Sequence, residues 1–409
     1  MQKAAPCRGL GRLVLSAAQL MITKCNLPWP GFRKKTCSMG GNRFSSAGWL
    51  LRHVRKSDMA LLLCCAFALG CSLLAGWIGD AQPLVAPTVT MRQWPVLFLP
   101  LFLWLAWVIF LMIRRKYEKP LKVVWRLLRR DPLWLIRAML ILAVMSVAAP
   151  AYSIFKLQIP HIIPFYADDA IIRIEAALFG QDPWRLTHAV FGMRGTVVLD
   201  RLYIVWFPVS AFLVTWSIMT RDRVFQARAI ATILFVWFVL GNFVALALSS
   251  CGPVYYEHFY GDDRFAPLMD TLRAYHAQAN IKAVAVSDWL ISDEAQGKLG
   301  TGISAMPSVH VGMTFVTWLL VQSRIGWKNP MSAILAVYVA LIWIASVHLA
   351  WHYWLDGLVS IVGAALFWKA TGYFLQPERK VRATALGESE PHAPEIPDGS
   401  MAVEAGRTA

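Results

Sequence analysis

The chain has 409 residues, of which 57% are hydrophobic and only 16% are charged, and it contains 19 tryptophans. This composition lies far outside the range of soluble globular domains and excludes that class. A formal net charge of +16 could suggest a nucleic-acid partner. Lys and Arg are, however, confined to a few connections between apolar segments, as membrane orientation requires, and we therefore expect no nucleic-acid partner.

Eight apolar segments are long enough, or nearly so, to cross about 30 Å of hydrocarbon as helices. The sequence therefore predicts an all-α, polytopic membrane helix bundle with about eight transmembrane helices. The sixth segment is the shortest, so the loop before it is expected to dip into the membrane. The predicted spans are Met59 to Ile78, Pro95 to Ile113, Leu133 to Phe155, Leu202 to Met219, Ala229 to Leu248, Pro307 to Val321, Met331 to Leu349 and Trp354 to Phe374.

The predicted spans divide the chain into five parts. Residues 1–57 form a basic cytoplasmic tail, and residues 58–113 form two accessory transmembrane helices. A basic cytoplasmic linker, 114–132, separates these from a six-helix catalytic core at 133–375. Residues 376–409 form a polar cytoplasmic tail. Both tails have the composition of disordered segments.

The distribution of basic residues predicts the orientation of the bundle. They crowd the N-terminal tail, the linker and three smaller clusters, which all fall on one side if the eight spans are correct. The positive-inside rule then places both termini in the cytoplasm and the long loops 156–200 and 250–306 outside. No organelle signal is evident, so the sequence favours a bacterial inner membrane with these loops facing the periplasm.

The first long outer loop contains a helical pattern. In DDAIIRIEAALFG, residues 168–180, apolar side chains recur at helical spacing with acidic residues between them. The pattern predicts an amphipathic helix, either lying on the outer membrane surface or packing as a lid over the bundle.

The stretch GISAMPSVHVGMTF, residues 302–315, places Ser308 and His310 directly ahead of an apolar helical run. Pro307 suits the first turn of a helix, and a serine such as Ser304 can cap it. The free backbone N–H groups at the start of such a helix attract phosphate. The sequence therefore predicts an anion site at the outer end of the sixth span.

A second polar constellation follows two spans later, in SVHLAWHYWLD. His348, His352 and Asp356 are spaced by four residues, and we expect them on one face of a helix. A carboxylate one turn from His352 can accept the proton of one ring nitrogen and leave the other free as nucleophile or base. The predicted topology puts His310 and His352 in the same outer layer. Ionisable groups near hydrocarbon are costly, so this convergence favours a catalytic site over separate packing histidines.

PSVH (307–310) followed by HYWLD (352–356) resembles the second and third signature motifs of the type 2 phosphatidic acid phosphatase superfamily. The longer strings GISAMPSVHV and WHYWLDG are most similar to its inositolphosphotransferase-like branch, which includes the fungal inositol phosphorylceramide synthases. The resemblance covers roughly residues 133–374. It implies a metal-independent, cofactor-free, two-step phosphoryl transfer on a membrane lipid phosphate, with water or an alcohol such as inositol as acceptor.

The resemblance also implies the roles of individual residues. His352 attacks phosphorus and becomes a phosphohistidine, and Asp356 orients its ring. His310 protonates the departing oxygen and later deprotonates the acceptor. Ser308 and the neighbouring amides hold phosphate oxygens.

The basic residues of the family pattern are missing here. Its first motif has a Lys and an Arg-Pro pair, whereas the corresponding place reads SSCGPVYYEHF, residues 249–259. Ser346 stands where the third motif usually has an Arg. We therefore expect the positive charge at the phosphate to come from His348, or from Arg264 or Lys298 in the outer loop.

The segment 249–259 is still expected to build the substrate pocket. Gly252 and Pro253 would shape its wall. Tyr255 and Tyr256 either hydrogen-bond the phosphate or headgroup or anchor the loop at the membrane interface.

Three other interpretations remain open at this stage. His310, His348, His352 and Asp356 have the ligand chemistry of an intramembrane zinc site, although a metal would not explain the serine of the Pro-Ser-x-His string. A transporter or scramblase would use the same residues as a proton path, but a repeat in two halves with charge at the midplane is not visible. A non-catalytic lipid-binding scaffold is compatible with the missing Lys and Arg.

Overall fold

A computed structural model describes residues 56–78, 131–292 and 302–375, with scattered positions between 102 and 129. All regular structure in these residues is helical. The helices are α1 (Lys56–Ile78), α2 (Pro132–Ile162), α3 (Asp168–Phe179), α4 (Pro183–Val190), α5 (Met193–Met219), α6 (Arg223–Ala247), α7 (Tyr256–Tyr260), α8 (Ala266–Ala279), α9 (Lys282–Leu290), α10 (Val309–Ile325), α11 (Pro330–His348) and α12 (Trp354–Phe374).

Six helices of the described residues are long and apolar enough to cross a membrane, namely α1, α2, α5, α6, α11 and α12. They confirm the all-α membrane bundle, and the last predicted span coincides with α12. The sixth predicted span corresponds to α10, whose 17 residues rise only about 26 Å, which is shorter than a usual crossing. The second predicted span, Pro95 to Ile113, lies largely outside the described residues.

Side-chain caps fix where four of these helices begin. Asp131 accepts a hydrogen bond from the Trp134 amide at the start of α2, and Asp222 caps α6 in the same way. Ser308 and Asn329 cap α10 and α11. A capped start satisfies backbone N–H groups that have no partner inside the helix, so these polar residues stop each apolar run at a defined point.

The described accessory helix α1 shares the core of the other spans. Its buried face, including Leu61, Cys65 and Ala68, joins one continuous apolar cluster with α2 and α6. At the end of the bundle where α2 and α6 begin, Asp58 pairs with Arg137 at 3.3 Å and with Arg223 at 3.2 Å. Helix α1 therefore packs on α2 and α6 through one face and shares their core.

A second apolar cluster lies at the opposite end of the bundle, where α10 and α12 begin, and this is called the site end below. The short helices α3, α4, α8 and α9 cover it. The predicted amphipathic helix is α3, which ends at Gly180 in a left-handed conformation (φ 72°). Its Ile171 and Ile172 are buried, and Glu175 accepts a hydrogen bond from the Leu355 amide at 2.8 Å. Of the two alternatives, α3 thus packs as a lid over the bundle.

Candidate active site

The connection between α11 and α12 is a tight turn rather than a continuous helix. Helix α11 ends at His348, and Ala350 adopts a left-handed conformation with φ 64°. His352 lies in the turn, and Asp356 lies in the first turn of α12. The prediction that His348, His352 and Asp356 share one helix face is therefore wrong, because the chain reverses between the first two.

The turn nevertheless brings His352 and Asp356 together. The Nδ1 atom of His352 lies 2.8 Å from the carbonyl oxygen of Ala305 and 3.2 Å from Oδ2 of Asp356. The same Oδ2 accepts a hydrogen bond of 3.0 Å from the Tyr353 amide, which completes a capping box. Both neighbours of Nδ1 are acceptors, so Nδ1 carries the proton and Nε2 keeps its lone pair.

The His352 ring is almost fully enclosed, with 7% of the residue exposed. Burial and, to a lesser degree, the charge of Lys156 lower the pKa of His352 to about 3. The imidazole is therefore neutral over the ordinary pH range, which is the form that a nucleophile or a base requires.

His310 faces His352 from the first turn of α10. The centroids of the two rings are 6.3 Å apart, and the ring planes are inclined by 56°. Tyr203 stacks on the His310 ring at 4.7 Å, and Trp206 lies 4.2 Å away and donates its indole N–H to the His310 carbonyl oxygen. Aromatic side chains of α5 thus hold one imidazole opposite the other, with a gap between the two rings that opens into the cavity.

Lys156, which the sequence analysis does not single out, is a cation beside this gap. Its side chain lines the same cavity as both histidines, and its charge acts on both rings. Gly302 permits the close approach, because a Cβ atom there would lie 2.7 Å from the backbone carbon of Lys156. A lysine at the end of an apolar span, and a glycine opening the string GISAMPSVH, were the signals available in the sequence.

The segment 249–252 positions the loop that holds His352. The carbonyl oxygen of Ser250 accepts a hydrogen bond of 2.9 Å from the Ala305 amide. The Ser250 hydroxyl oxygen accepts one of 3.0 Å from the Met306 amide. Gly252 has φ 83°, and its Cα faces the carbonyl oxygen of Trp351 and the side chain of Ala305. The loop therefore fixes Ala305, whose carbonyl oxygen bonds to Nδ1 of His352.

Asp168 connects this loop to the turn at His352. It is fully buried and accepts hydrogen bonds from the amides of Cys251 (3.0 Å) and Gly252 (2.9 Å). It also accepts from the hydroxyls of Tyr260 (3.0 Å) and Tyr353 (2.8 Å). A single carboxylate at the start of α3 thus holds three separate segments around the site.

His348 lies away from the other two histidines. Its Nε2 atom is 2.8 Å from the hydroxyl of Thr196, and its Nδ1 atom is 3.1 Å from the hydroxyl of Thr187. Its ring stacks on His188 at 3.9 Å, and its carbonyl oxygen bonds to the His188 ring. Both nitrogens of His348 are engaged in packing α4 against α11 and α5, so they are not available to a phosphate group.

Of the remaining predicted phosphate ligands, two are held by other contacts and one is not described. The guanidinium of Arg264 pairs with Asp182 at 2.8 Å on the surface, and Lys298 lies outside the described residues. Ser308 is fully buried, and its hydroxyl caps α10 by accepting the Val311 amide at 3.4 Å. Its own amide donates to the carbonyl oxygen of Asp356 at 3.1 Å and ties the two helix starts together.

The predicted pocket residues are distributed around the site. Tyr255 lines the cavity and donates to the Ser287 carbonyl oxygen at 3.2 Å, whereas the Tyr256 hydroxyl is held by Asp169 at 2.6 Å. Pro253 borders a very small space behind His352. Gly252, as described above, supports the wall at Ala305.

A cavity of about 700 Å³ opens at the two histidines and extends between α2 and α5. Val309 and His310, the first two residues of α10, line it at the site end, where helix N–H groups have no intrahelical partner. No group of three or more His, Cys, Asp or Glu residues in the described ranges is arranged to hold a metal ion. With His348 turned away, the residues considered above for a zinc site are not brought together.

The fold and the site together define a helical membrane protein with a buried pair of histidines, an orienting carboxylate and a lysine. The model of the PAP2 superfamily matches residues 169–370, which contain both histidine motifs. This similarity indicates phosphatase or phosphotransferase chemistry. Lys156 and Asp168 lie just before the matched residues. Comparison with curated proteins and with solved structures found no match.

Proposed function

We propose that this protein transfers a phosphoryl group from a membrane lipid phosphate ester, by way of a phosphohistidine at His352. The observation that carries the proposal is the pair of facing imidazoles 6.3 Å apart, one of which has its Nδ1 proton fixed by Ala305 and Asp356. Such a pair offers a nucleophile on one side of a phosphorus atom and a proton donor on the other.

The reaction proceeds in two steps. The Nε2 lone pair of His352 attacks phosphorus while the bond to the lipid oxygen breaks, and His310 gives to that oxygen the proton that it takes up when the negatively charged phosphate binds beside it. His310 then takes a proton from the acceptor, whose oxygen attacks phosphorus while the P–N bond breaks. Asp356 stabilises the positive charge that develops on the His352 ring.

The positive charge around the phosphate comes from Lys156 and from the start of α10. Lys156 is a point charge beside the gap, and the N–H groups of Val309 and His310 add the partial charge of a helix N-terminus. This set replaces the Lys and Arg residues that the sequence lacks at 249–259 and at Ser346. It stabilises the three equatorial oxygens without covalent chemistry.

The acceptor is water or an alcohol such as inositol. We propose that the site lies at the outer face of the membrane, on the periplasmic side of a bacterial inner membrane, and that both termini are cytoplasmic. The distribution of Lys and Arg supports this orientation. A membrane-impermeant reagent should then label a cysteine placed near residue 290 from outside. Labelling only after permeabilisation would reverse this orientation.

The direct test is turnover of a lipid phosphate by the purified protein, with the labelled products separated. Free phosphate would identify hydrolysis, and a phosphorylated alcohol would identify transfer. We expect His352→Ala and His310→Ala each to lower turnover by about a thousandfold or more, as for residues that act together in one site. Retained turnover in the His352→Ala protein would contradict the proposal.

A further inference from the structure

The cavity that opens at the histidines continues far beyond them. On α2 its lining runs from Lys156 down to Leu142, and on α5 it runs from Tyr203 to Ile218. Fourteen residues of helix rise about 21 Å, and the fifteen residues on α5 give nearly the same length. The lining residues on these two antiparallel helices thus give nearly the same length for one continuous groove, which runs from the site towards the other end of the bundle.

The lining of the groove ends at Leu142 on α2 and at Ile218 on α5. Directly after Ile218, the carbonyl oxygen of Met219 accepts a hydrogen bond of 3.2 Å from the indole N–H of Trp134, which ties the end of α5 to the start of α2. Trp237 of α6 and Met313 of α10 form its inner side. Between α2 and α5 the groove is bordered by Phe207, which is 61% exposed and would face lipid.

Charge is confined to the site end of this groove. The charged residues among its described lining are Lys156, Asp200 and Lys282, all at that end. Farther down, the hydroxyls of Ser153 and Thr215 bond to carbonyl oxygens of their own helices, so that they present mainly carbon atoms. The Ser210 hydroxyl, midway along, has no partner among the described residues but carries no charge. A ligand with one charged end and a long apolar body fits this distribution.

The length of the groove exceeds the depth of one leaflet. Half of a hydrocarbon core of about 30 Å is about 15 Å, whereas the groove measures about 21 Å from the site. A chain that fills it is therefore longer than one leaflet is deep.

We infer that the groove between α2 and α5 holds an extended hydrocarbon chain of the substrate, and that contacts with Leu142 and Ile218 at its far end select for long chains. This inference rests on the proposed function, because it takes the phosphate of the same lipid to lie between His310 and His352. The substrate class is then a lipid phosphate whose chain is longer than one leaflet is deep.

The first test blocks the groove halfway. Ala211 lines it, eight residues from Tyr203, and a tryptophan there would fill the space beyond about 12 Å. Phe212 is the next residue, faces outward with 46% exposure and does not line the groove, so Phe212→Trp is the matched control. Turnover is compared for octadecyl phosphate, whose chain reaches beyond the block, and for hexyl phosphate, whose chain stops before it.

We expect Ala211→Trp to lower turnover of octadecyl phosphate by about tenfold or more while hexyl phosphate is little affected, and Phe212→Trp to change neither. An equal loss on both substrates, or no loss on either, would overturn the inference. A selective loss of octadecyl phosphate turnover in the control Phe212→Trp would also overturn the inference.

The second test does not depend on turnover. An octadecyl phosphate with a photoreactive diazirine at the chain end is bound to the full-length protein and irradiated, and the adduct is located by mass spectrometry. We expect the adduct within one helical turn of Leu142 or Ile218. An adduct confined to other positions would overturn the inference. If the wild-type protein turns over neither phosphate, the proposed function fails, and the position of this adduct still decides where the chain lies.

Discussion

The hydroxyl of Tyr353 donates a hydrogen bond of 2.8 Å to the buried carboxylate of Asp168, which lies 185 residues earlier in the chain. Tyr353 directly follows His352, so this bond holds the turn in addition to the bond between the Tyr353 amide and Asp356. The same carboxylate accepts the amides of Cys251 and Gly252. The position of the proposed nucleophile therefore depends on a residue that does not contact the substrate.

We predict that Asp168→Asn lowers kcat by about tenfold or more. All four nitrogen and oxygen partners of Asp168 donate hydrogen bonds, and an amide group would set its own N–H against some of them, at a cost of about 1–3 kcal/mol. Asp169→Asn is the matched control, because Asp169 is held by one tyrosine hydroxyl and an amide oxygen can replace its acceptor. Both are assayed well below their unfolding temperatures. Equal kcat in the two variants would contradict a positioning role for Asp168.

A second prediction concerns the cation at the site. Lys156→Met should reduce kcat/KM by about 10- to 100-fold, because it removes a charge-assisted hydrogen bond to phosphate worth about 1.5–3 kcal/mol. Lys282 also lines the cavity, at its mouth, and Lys282→Met serves as the control with an equal loss of charge. If the two variants lose activity to the same extent, Lys156 has no specific role at the phosphate and only the total charge of the mouth matters.

The backbone at Gly252 gives a third prediction. A Cβ atom there would lie 2.9 Å from the Trp351 carbonyl oxygen and from Ala305, in addition to the strain of φ 83°. Gly180 has a similar φ of 72° but no atom within 4 Å of a built Cβ. Gly180→Ala should cost about 1–2 kcal/mol of unfolding free energy from strain alone, and Gly252→Ala should cost more and also lower activity. Equal unfolding free energies would show that the contacts behind His352 are not tight.

Glu175 gives a prediction about pH. Burial raises the pKa of Glu175 to about 7, which the Leu355 amide opposes and the charge of Asp356 reinforces. Because this pKa lies above the unfolded value of about 4.3, the folded state binds the proton more tightly. The resulting stability is complete below the unfolded pKa and is lost as the pH rises through about 7.

The loss amounts to at most about 4 kcal/mol, and Glu175→Gln should remove it. The measurement is the unfolding midpoint at several pH values between about 5 and 8. Glu257, an exposed carboxylate of α7, supplies the control Glu257→Gln. An unchanged pH dependence in Glu175→Gln would show that this carboxylate is not responsible.

The sequence predicts the bundle and the pair of histidines well because both depend on local patterns. Apolar length locates the spans, so that the predicted span Trp354 to Phe374 matches α12 residue for residue. His310 and His352 follow from topology, because both stand at helix starts on the same side.

The rest depends on contacts between distant segments. Four-residue spacing suggested that His348 and His352 share a helix face, but the left-handed Ala350 reverses the chain between them. Lys156 reaches the site only because Gly302, 146 residues later, lets two backbones meet. In the sequence, Asp168 is recognisable only as a carboxylate at the start of a helix. Its four hydrogen-bond donors come from three other places along the chain.

The most direct test of the central claim is detection of the phosphorylated protein. A lipid phosphate labelled at phosphorus is mixed with the wild-type protein, the reaction is stopped within one turnover, and the label is mapped by mass spectrometry of peptides. The account predicts phosphate on the His352 ring, absent from the His352→Ala protein. Label on any other side chain, or single-turnover cleavage that proceeds unchanged in the His352→Ala protein, would contradict it.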